Sequence, residues 1–461
     1  MNSFFDKYIK SIERTEPIKY TGNVTGVKGL MIESLGPRSV VGEICTIHIG
    51  SSGKTVMAEV VGFENKTVHL MAYDSTSGIE VGDAVVASGH LLEVGVGSEL
   101  TGRILDATGR PCDGKGDINV ECYYPAIANA PDPLKRKPIN RRITTGIRSI
   151  DSLMTIGKGQ RVGIFAGSGV GKSTIISSIA KHTDAKLSVI ALIGERGREV
   201  NDLLADLGPE GLSRSILVNA TGDKTPIAKI RAAYVATAVA EYFRDKGEDV
   251  LLMFDTVTRF AHAQRDVGTS NGESPQRRGY PASVFTSIQQ LLERTGTNDK
   301  GSITALYTVL VDGGDLDEPV SDTVRGILDG HIVLSRKLAQ RQHYPAVDVN
   351  SSVSRLISHV NGPCTLKAIQ RVRRWMSTYE DQEEMIMAGV YQKGNSVEVD
   401  DAIAHHDAIE EFLCQEKDES STAAETLQKL SVLSGIEIPP EEYPEEHAEE
   451  ASQENLQTEN A

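Results

Sequence analysis

Apolar residues recur with three different spacings along this chain of 461 residues, and each spacing predicts a different kind of domain. Between residues 19 and 95, short β-rich runs separated by Gly, Asn and Ser predict a small β-barrel or sandwich. From about residue 145, continuous apolar runs alternate with helical segments, as is typical of parallel strands that are buried on both faces. These runs are RVGIFAG, LSVIALIG, SILVNA, VLLMFD and SITALYTVL. Beyond residue 365 the spacing is helical.

The two ends of the chain have patterns of their own. Residues 1–18 carry an apolar stripe at helical spacing, formed by Phe4, Phe5, Tyr8, Ile9 and Ile12. Because the stripe lies outside the barrel, it favours a groove on a partner, with packing onto the ring itself as the alternative. Residues 436–461 are rich in glutamate and are expected to be disordered.

Composition and charge exclude several classes of protein. The net charge of −16 disfavours a general nucleic-acid binder, although eight glutamates of the last 23 residues make up half of it. No apolar run is long enough to span a membrane, and the N-terminus lacks the pattern of a secretory signal. Five scattered cysteines without a CxxC pair indicate a reducing cytosol rather than disulfides or a zinc site.

The stretch GIFAGSGVGKST has the order of strand, glycine loop, lysine, hydroxyl and helix that a phosphate-binding loop requires. Ala166 occupies the first motif position, where glycine is usual, and its single methyl group is expected to be tolerated. Lys172 is expected to reach the β- and γ-phosphates of ATP, and the Ser173 hydroxyl to bind Mg²⁺. A chance glycine turn is the alternative. The backbone N–H groups expected to surround the phosphates belong to Gly167, Ser168, Gly169, Val170 and Gly171.

Two acidic residues follow apolar strands. Asp255 ends VLLMFD, and Glu195 follows VIALIG. Since the carboxyl ends of parallel strands share one edge of a sheet, Asp255 is expected to hold Mg²⁺ through water, and Glu195 to orient a water for attack on the γ-phosphate. Local sequence alone leaves Glu195 equally compatible with a surface glutamate.

These motifs resemble the ATPases of type III secretion, relatives of the catalytic subunit of rotary ATP synthases. The resemblance extends over about residues 20–415 and includes DTVTRFAHAQR, GSITALYTVLV and ILDGHIVLSRKLAQRQHYPAVDVNSSVSR. It implies that Glu195 is the catalytic glutamate and that Arg196 lies close to the γ-phosphate. It further implies that Thr174 lies near the α-phosphate and that Tyr344 packs against adenine, with a core aromatic as the alternative for Tyr344. Arg355 matches an arginine finger that reaches a neighbouring subunit's site.

The resemblance and the spacing together indicate the α/β class: a central RecA-like phosphate-loop domain with a mostly parallel sheet, an N-terminal small β-barrel and a C-terminal helical domain. The expected segments are a partner-binding helix at 1–18, the barrel at 19–95, the ATPase domain with a Pro-rich connector at 96–365, the helical domain at 366–435 and the acidic tail at 436–461.

The resemblance also implies a biological role. One chain carries both Glu195 and Arg355, so a homohexamer of identical subunits would suffice. ATP hydrolysis would power or regulate protein export, and MAGVYQKGNSVEVDDAI favours the flagellar branch over the virulence injectisome. The implied partners are a stator-like regulator on the N-terminal helix, a central stalk, the export gate and chaperone–substrate complexes, with no nucleic acid. The implied location is the inner face of the cytoplasmic membrane.

Three other functions are weaker on the residues present. The catalytic subunit of a rotary ATP synthase would take its finger arginine from a partner chain. A purely structural ring subunit would lack Lys172 or Glu195. A ring-shaped RNA translocase would carry a basic, aromatic-rich N-domain. One departure from the family pattern is VDGGDLDEP, where Gly314 replaces an acid, so Asp312 and Asp315 receive no catalytic role.

Overall fold

The computed structural model describes residues 18–50, 53–311 and 315–444. The predicted N-terminal helix therefore lies outside the described residues, apart from its last position, and so do Asp312 and Gly314. Over the described part of the chain, no helix combines the length and the apolar character needed to cross a membrane.

The N-terminal domain is a closed, six-stranded antiparallel barrel with strand order β1-β2-β5-β4-β3-β6. Alternate side chains point inward, and Ile32, Ile47 and Leu70 are completely buried there. The predicted barrel is confirmed. The strands are β1 (Thr21–Lys28), β2 (Met31–Leu35), β3 (Glu43–Ile49), β4 (Lys54–Glu64), β5 (Thr67–Ala72) and β6 (Ala84–Leu91).

The central domain is built on a nine-stranded, mostly parallel sheet, as predicted. The later strands are β7 (Glu93–Val96), β8 (Ile104–Leu105), β9 (Cys122–Pro125), β10 (Arg142–Ile143), β11 (Ile156–Gly157), β12 (Arg161–Ala166), β13 (Leu187–Ile193), β14 (Ser215–Ala220), β15 (Asp249–Asp255), β16 (Gly296–Thr297), β17 (Ser302–Leu310), β18 (Gly330–Leu334) and β19 (Val347–Ser354). Eight of the nine strands follow the order β19-β18-β12-β17-β15-β13-β14-β8, in which every neighbouring pair is parallel except β19 with β18; the ninth strand, β16, pairs antiparallel with β17. The five predicted apolar runs are β12, β13, β14, β15 and β17.

Helices cover both faces of this sheet. They are α1 (Arg148–Leu153), α2 (Lys172–His182), α3 (Gly197–Ser213), α4 (Pro226–Asp245), α5 (Val257–Ser270), α6 (Ala282–Glu293), α7 (Pro319–Ile327) and α8 (Arg336–Gln340). Alternate residues of β13 belong to two separate hydrophobic clusters: Val189 and Ala191 pack in the one that contains α4, Ile190 and Leu192 in the one that contains α2. Burial on both faces explains why these strands are continuous apolar runs in the sequence.

A buried ion pair joins the barrel to the central domain. Glu59 on β4 is 1% exposed and accepts hydrogen bonds from Arg231 of α4, one of them at 2.7 Å from Nε. The hydroxyl of Tyr73 donates to the same carboxylate at 2.7 Å. Ten residues further along α4, Glu241 accepts a hydrogen bond from Arg294 at 2.6 Å, and Arg294 is 1% exposed. Helix α4 is thus held by two buried charge pairs.

Three helices form the C-terminal domain: α9 (Pro363–Met387), α10 (Val397–Leu413) and α11 (Ala423–Ser434). Two stacked ring pairs join α9 to α10, Trp375 with His405 at 3.8 Å and Tyr379 with His406 at 3.6 Å between centroids. The predicted helical character is confirmed, and α9 begins at Pro363, just ahead of the predicted boundary.

The glutamate-rich composition predicts a disordered tail from residue 436, and for residues 436–444 that prediction is wrong. Ile438 is buried in the same hydrophobic cluster as α11. The carboxylate of Glu442 accepts hydrogen bonds from the backbone N–H groups of Cys364 at 2.9 Å and Thr365 at 2.7 Å, so it caps the start of α9. The rest of the predicted tail, 445–461, lies outside the described residues.

Candidate active site

The predicted phosphate loop connects β12 to α2. Gly169 and Gly171 have φ angles of 77° and 94°, in the left-handed region that glycine adopts at little cost. Ala166 is the last residue of β12 and is 1% exposed; its carbonyl accepts from the N–H of Val311 at 3.0 Å, so its methyl group is accommodated. Helix α2 begins at Lys172, and its N-terminus, with exposed Ser173 next to it, faces the loop.

Three chain segments bring one lysine and two carboxylates together beside this loop. The Nζ of Lys172 donates to Glu195 Oε1 at 3.3 Å and to Asp255 Oδ1. Strands β13 and β15 are parallel neighbours in which Leu192 lies opposite Asp255, so both acids emerge at the carboxyl edge of the sheet. The two predicted acids therefore meet the predicted lysine, as the strand order requires.

Burial and like charge disfavour ionisation of Glu195, which is 4% exposed. Desolvation first, then the neighbouring carboxyls of Glu199 and Asp255, raise the pKa of Glu195 to about 7, while Lys172 opposes the shift. The pKa of Glu199 moves down, because it accepts the hydrogen bond that it shares with Glu195. A carboxyl with a pKa near neutrality can exchange a proton or a hydrogen bond with water at physiological pH.

The oxygen groups here fit Mg²⁺. Asp255 offers a carboxylate, held by the hydroxyl of Thr308 at 2.6 Å, and Ser173 an exposed hydroxyl. Among the described residues no cluster of three or more His, Cys, Asp or Glu side chains could hold a metal ion by itself. One carboxylate and one hydroxyl suit an ion that keeps water and takes its other ligands from phosphates.

A cavity of about 670 Å³ opens beside the phosphate loop. It is bounded by the loop and α2, by residues 342–346 and by residues 414–419 of the C-terminal domain. Tyr344 lines it, is 39% exposed, and its ring lies 3.7 Å from the position that a Cβ on Gly171 would take. Thr174 also lines the cavity. Its size and its place next to the loop suit a nucleoside whose phosphates occupy the loop.

The two predicted arginines lie in different places. Arg196 precedes α3, and its exposed side chain is 3.7 Å from Glu199. Arg355 is exposed and follows Ser354, which pairs with Gly330 at the amino end of β18, whereas Ala166 pairs with Leu334 at the carboxyl end. The length of β18 separates these ends by about 13 Å. Arg355 is thus at the sheet edge opposite its own phosphate loop.

The structure adds one residue that the sequence analysis did not single out. Arg259 lies on α5, and its side-chain carbons pack within 3.1 to 3.4 Å of a Cβ built on Gly194. Its Nε is buried and has no hydrogen-bond partner among the described residues. The sequence could have indicated Arg259, because it lies four residues after Asp255 on the helix that follows β15. A guanidinium there can add positive charge beside the glutamates.

A phosphate loop, two acids at the carboxyl edge of a parallel sheet and an adjoining cavity define a RecA-like nucleotide hydrolase. Family models match three parts of the chain: the ATP synthase alpha/beta family beta-barrel domain over residues 24–89, the nucleotide-binding domain of that family over 146–354, and the T3SS EscN ATPase C-terminal domain over 362–432.

Individual relatives cover almost the whole chain. The "Flagellum-specific ATP synthase" of Treponema pallidum is 54% identical over 94% of this chain and 97% of its own length. The "Type 3 secretion system ATPase" of Xanthomonas euvesicatoria is 44% identical over 89% and 93%. The assembled ATPase EscN in complex with its central stalk EscO, from the enteropathogenic E. coli type III secretion system, superposes with a TM-score of 0.83 at 40% identity, covering 90% of this chain and all of that one. The chain belongs to the family of flagellum-specific and type III secretion ATPases.

Proposed function

We propose that the chain hydrolyses ATP in a ring of identical subunits and that this hydrolysis drives or regulates flagellar protein export. The observation that carries the proposal is the placement of two halves of one site on opposite edges of the same domain. Lys172, Glu195 and Asp255 meet at the carboxyl edge, and Arg355 stands exposed at the other. A neighbouring copy can supply the half that each subunit lacks.

The chain's own residues divide the work at the phosphates. The backbone of the loop, Lys172 and the N-terminus of α2 bind the phosphate oxygens. Ser173 and Asp255 would hold Mg²⁺, and the ion would supply positive charge beside the phosphates. Polyphosphate competes with the two carboxylates for Lys172, because all three are anions within reach of one ammonium group.

Glu195 then orients and polarises the attacking water. Its raised pKa places a good hydrogen-bond acceptor beside the γ-phosphate once the carboxyl is ionised. Arg196 and Arg259 flank the same acids and stabilise negative charge as it spreads over the γ-phosphoryl oxygens. Tyr344 packs against the adenine ring in the adjoining cavity, with Thr174 towards the α-phosphate.

Arg355 acts in trans. Fingers of this kind contribute about 10³–10⁵ in rate in well-studied nucleotide hydrolases. A hexameric ring places each Arg355 at the next subunit's phosphate loop, which explains how one chain can carry a full catalytic set without completing its own site.

Identity favours the flagellar system over the injectisome, because the Treponema relative is 54% identical and the Xanthomonas relative 44%. By analogy with EscN, a central stalk contacts the ring. We further propose a stator-like regulator bound through residues 1–18, docking at the export gate on the inner face of the cytoplasmic membrane, and delivery of chaperone–substrate complexes. An ATP synthase catalytic subunit is the weaker alternative, since that enzyme divides glutamate and finger between two chains.

Mixed rings test the trans assignment. Arg355→Ala and Lys172→Ala are each expected to be inactive, because one lacks the finger and the other the phosphate lysine. Equal mixing pairs an intact loop with an intact finger at about a quarter of the interfaces, so up to about a quarter of wild-type ATPase activity should return.

Arg374→Ala is a matched control, since Arg374 is an exposed arginine of α9 whose side chain contacts Glu398 rather than the sheet edge. It should be active alone. Mixed rings that stay inactive, although they assemble, would refute the trans role.

A pull-down from native lysate tests the proposed pathway. Flagellar components recovered with the full chain, and lost when residues 1–18 are removed, would support flagellar export; recovery of ATP synthase subunits would refute it.

A further inference from the structure

Gln342 has a backbone conformation that its side chain does not favour. Helix α8 ends with the two hydrogen bonds of a Schellman motif: His343 N–H donates to Leu338 O and Gln342 N–H to Ala339 O, both at 3.1 Å. The motif requires a left-handed residue at the position of Gln342, whose φ is 60°. Glycine is the usual residue there, because a Cβ is strained in that conformation.

Only three described residues other than glycine have positive φ, and they differ in kind. Asn65 is of a type that tolerates the left-handed region, and it lies in the turn between β4 and β5. Arg278 lies in the loop before α6. Gln342 lines the cavity beside the phosphate loop, two residues before Tyr344. Strained residues that line a binding cavity are often held there by a function of the side chain.

Two carboxamide side chains line this cavity, and their hydrogen bonding differs. Gln415 is committed on both sides: its Oε1 accepts from Arg148 N–H at 2.6 Å, and its Nε2 donates to Gly146 O at 3.1 Å. The carboxamide of Gln342 has no hydrogen-bond partner among the described residues. The Gln342 carboxamide therefore has its amide nitrogen free to donate and its oxygen free to accept at the cavity, whereas the Gln415 carboxamide is already bonded to other protein groups.

A carboxamide matches one edge of adenine. Its oxygen accepts from the N6 amino group while its nitrogen donates to N7, and guanine presents two acceptors, O6 and N7, at the same edge. We propose that the Gln342 carboxamide reads the N6–N7 edge of the base and makes the site selective for adenine nucleotides. The inference deepens, and rests on, the proposed ATP hydrolysis; its new content is that the side chain at a position suited to glycine determines base specificity.

Gln342→Gly distinguishes the backbone conformation at this position from the side chain, because it relieves the backbone strain and removes the carboxamide. The thermal midpoint is expected to stay unchanged or rise by about 1 °C. The ratio of kcat/KM for ATP to that for GTP is expected to fall about tenfold. The loss should appear in KM with kcat preserved, since a base contact is equal in the ground and transition states. 7-Deaza-ATP, which lacks N7, should be a poorer substrate than ATP for the wild type and an equal one for the variant.

Two further variants sharpen the test. Asn65→Gly also places glycine at a left-handed residue, at φ 54° in a barrel turn outside the cavity lining, and should leave the ATP to GTP ratio unchanged. Gln342→Arg presents two donors, the pattern that suits guanine O6 and N7, and should raise the use of GTP. An unchanged ATP to GTP ratio in Gln342→Gly, with a thermal midpoint at or above that of the wild type, would overturn the inference.

Calorimetric titration with ADP and GDP distinguishes this inference from the proposed function. Wild-type chain that prefers ADP through Gln342 but hydrolyses no ATP would sink the proposed function and leave base reading standing. If instead the chain hydrolyses ATP, and Gln342→Gly leaves the ratio of its affinities for ADP and GDP unchanged, base reading by Gln342 is refuted and the proposed function stands.

Discussion

Glu59→Gln should release the barrel from the central domain. Glu59 and Arg231 are both buried, and Glu59 also accepts from Tyr73, so three donors converge on one carboxylate. Burial disfavours the charged form of Arg231, but the neighbouring Glu59 carboxylate keeps the pKa of the Arg231 guanidinium above its ordinary value. Glutamine has nearly the same shape but no charge, and its amide nitrogen would face other donors.

Removing one partner of a buried ion pair costs about 3–5 kcal/mol, because the other charge stays buried without compensation. A barrel of about 70 residues has a total stability of only about 4–10 kcal/mol. The barrel is therefore expected to open before the central domain unfolds. When reclosing is faster than exchange, a loss of about 3–5 kcal/mol corresponds to about 10²–10⁴-fold faster hydrogen exchange of the β3 and β4 amides.

Hydrogen–deuterium exchange with mass spectrometry measures this directly. Glu33→Gln makes the same chemical change in the same barrel, at a surface pair with Lys28 (2.7 Å), and should change the exchange little because solvent screens the pair. Replacing both buried partners together, as Glu59→Leu with Arg231→Met, should restore most of the protection. Equal exchange in Glu59→Gln and Glu33→Gln would refute the idea that this pair docks the barrel.

Two predictions concern the chemistry. The acidic limb of kcat/KM should fall tenfold per pH unit below about 7, because the raised pKa of Glu195 leaves less carboxylate as pH decreases; a limb near pH 4.5 would exclude Glu195 as the group that titrates. Glu195→Gln should bind ATP and lose about 10²–10⁴-fold in kcat, whereas Lys172→Ala should lose nucleotide binding or hydrolysis. Binding by calorimetry and turnover by phosphate release distinguish the two, and a Glu195→Gln enzyme of normal turnover contradicts the catalytic role.

Much of the site could be predicted because its signals are local. A glycine loop between strand and helix needs only adjacent residues, and two acids after apolar strands meet wherever those strands are parallel neighbours. Lys172, Glu195 and Asp255 come together for that reason. The strands of the central sheet are buried on both faces, so their sequences are continuous apolar runs, and the sheet could be predicted as well.

The rest depends on contacts between distant residues. Glu59 and Arg231 are 172 positions apart, and nothing near either one signals the pair. Glu442 accepts a hydrogen bond from Cys364, 78 residues earlier at the start of a helix, so a segment whose composition indicates disorder is held in place. Gln342 is an ordinary polar residue in the sequence, and only its φ of 60° and its place in the cavity make it informative.

The placement of Arg355 also constrains the assembly. In a twofold dimer the same surface patch of both subunits is in contact, so Arg355 could reach the partner's Lys172 only if one patch contained both residues. Because Arg355 and the phosphate loop lie at opposite edges of the sheet, we expect them to belong to separate patches, and a contact between separate patches is a head-to-tail interface. Head-to-tail contacts between identical chains close as rings or continue as filaments, and a closed ring is the form in which every loop receives a finger. An isolated subunit should therefore hydrolyse ATP only at the rate that Lys172 and Glu195 support without a finger.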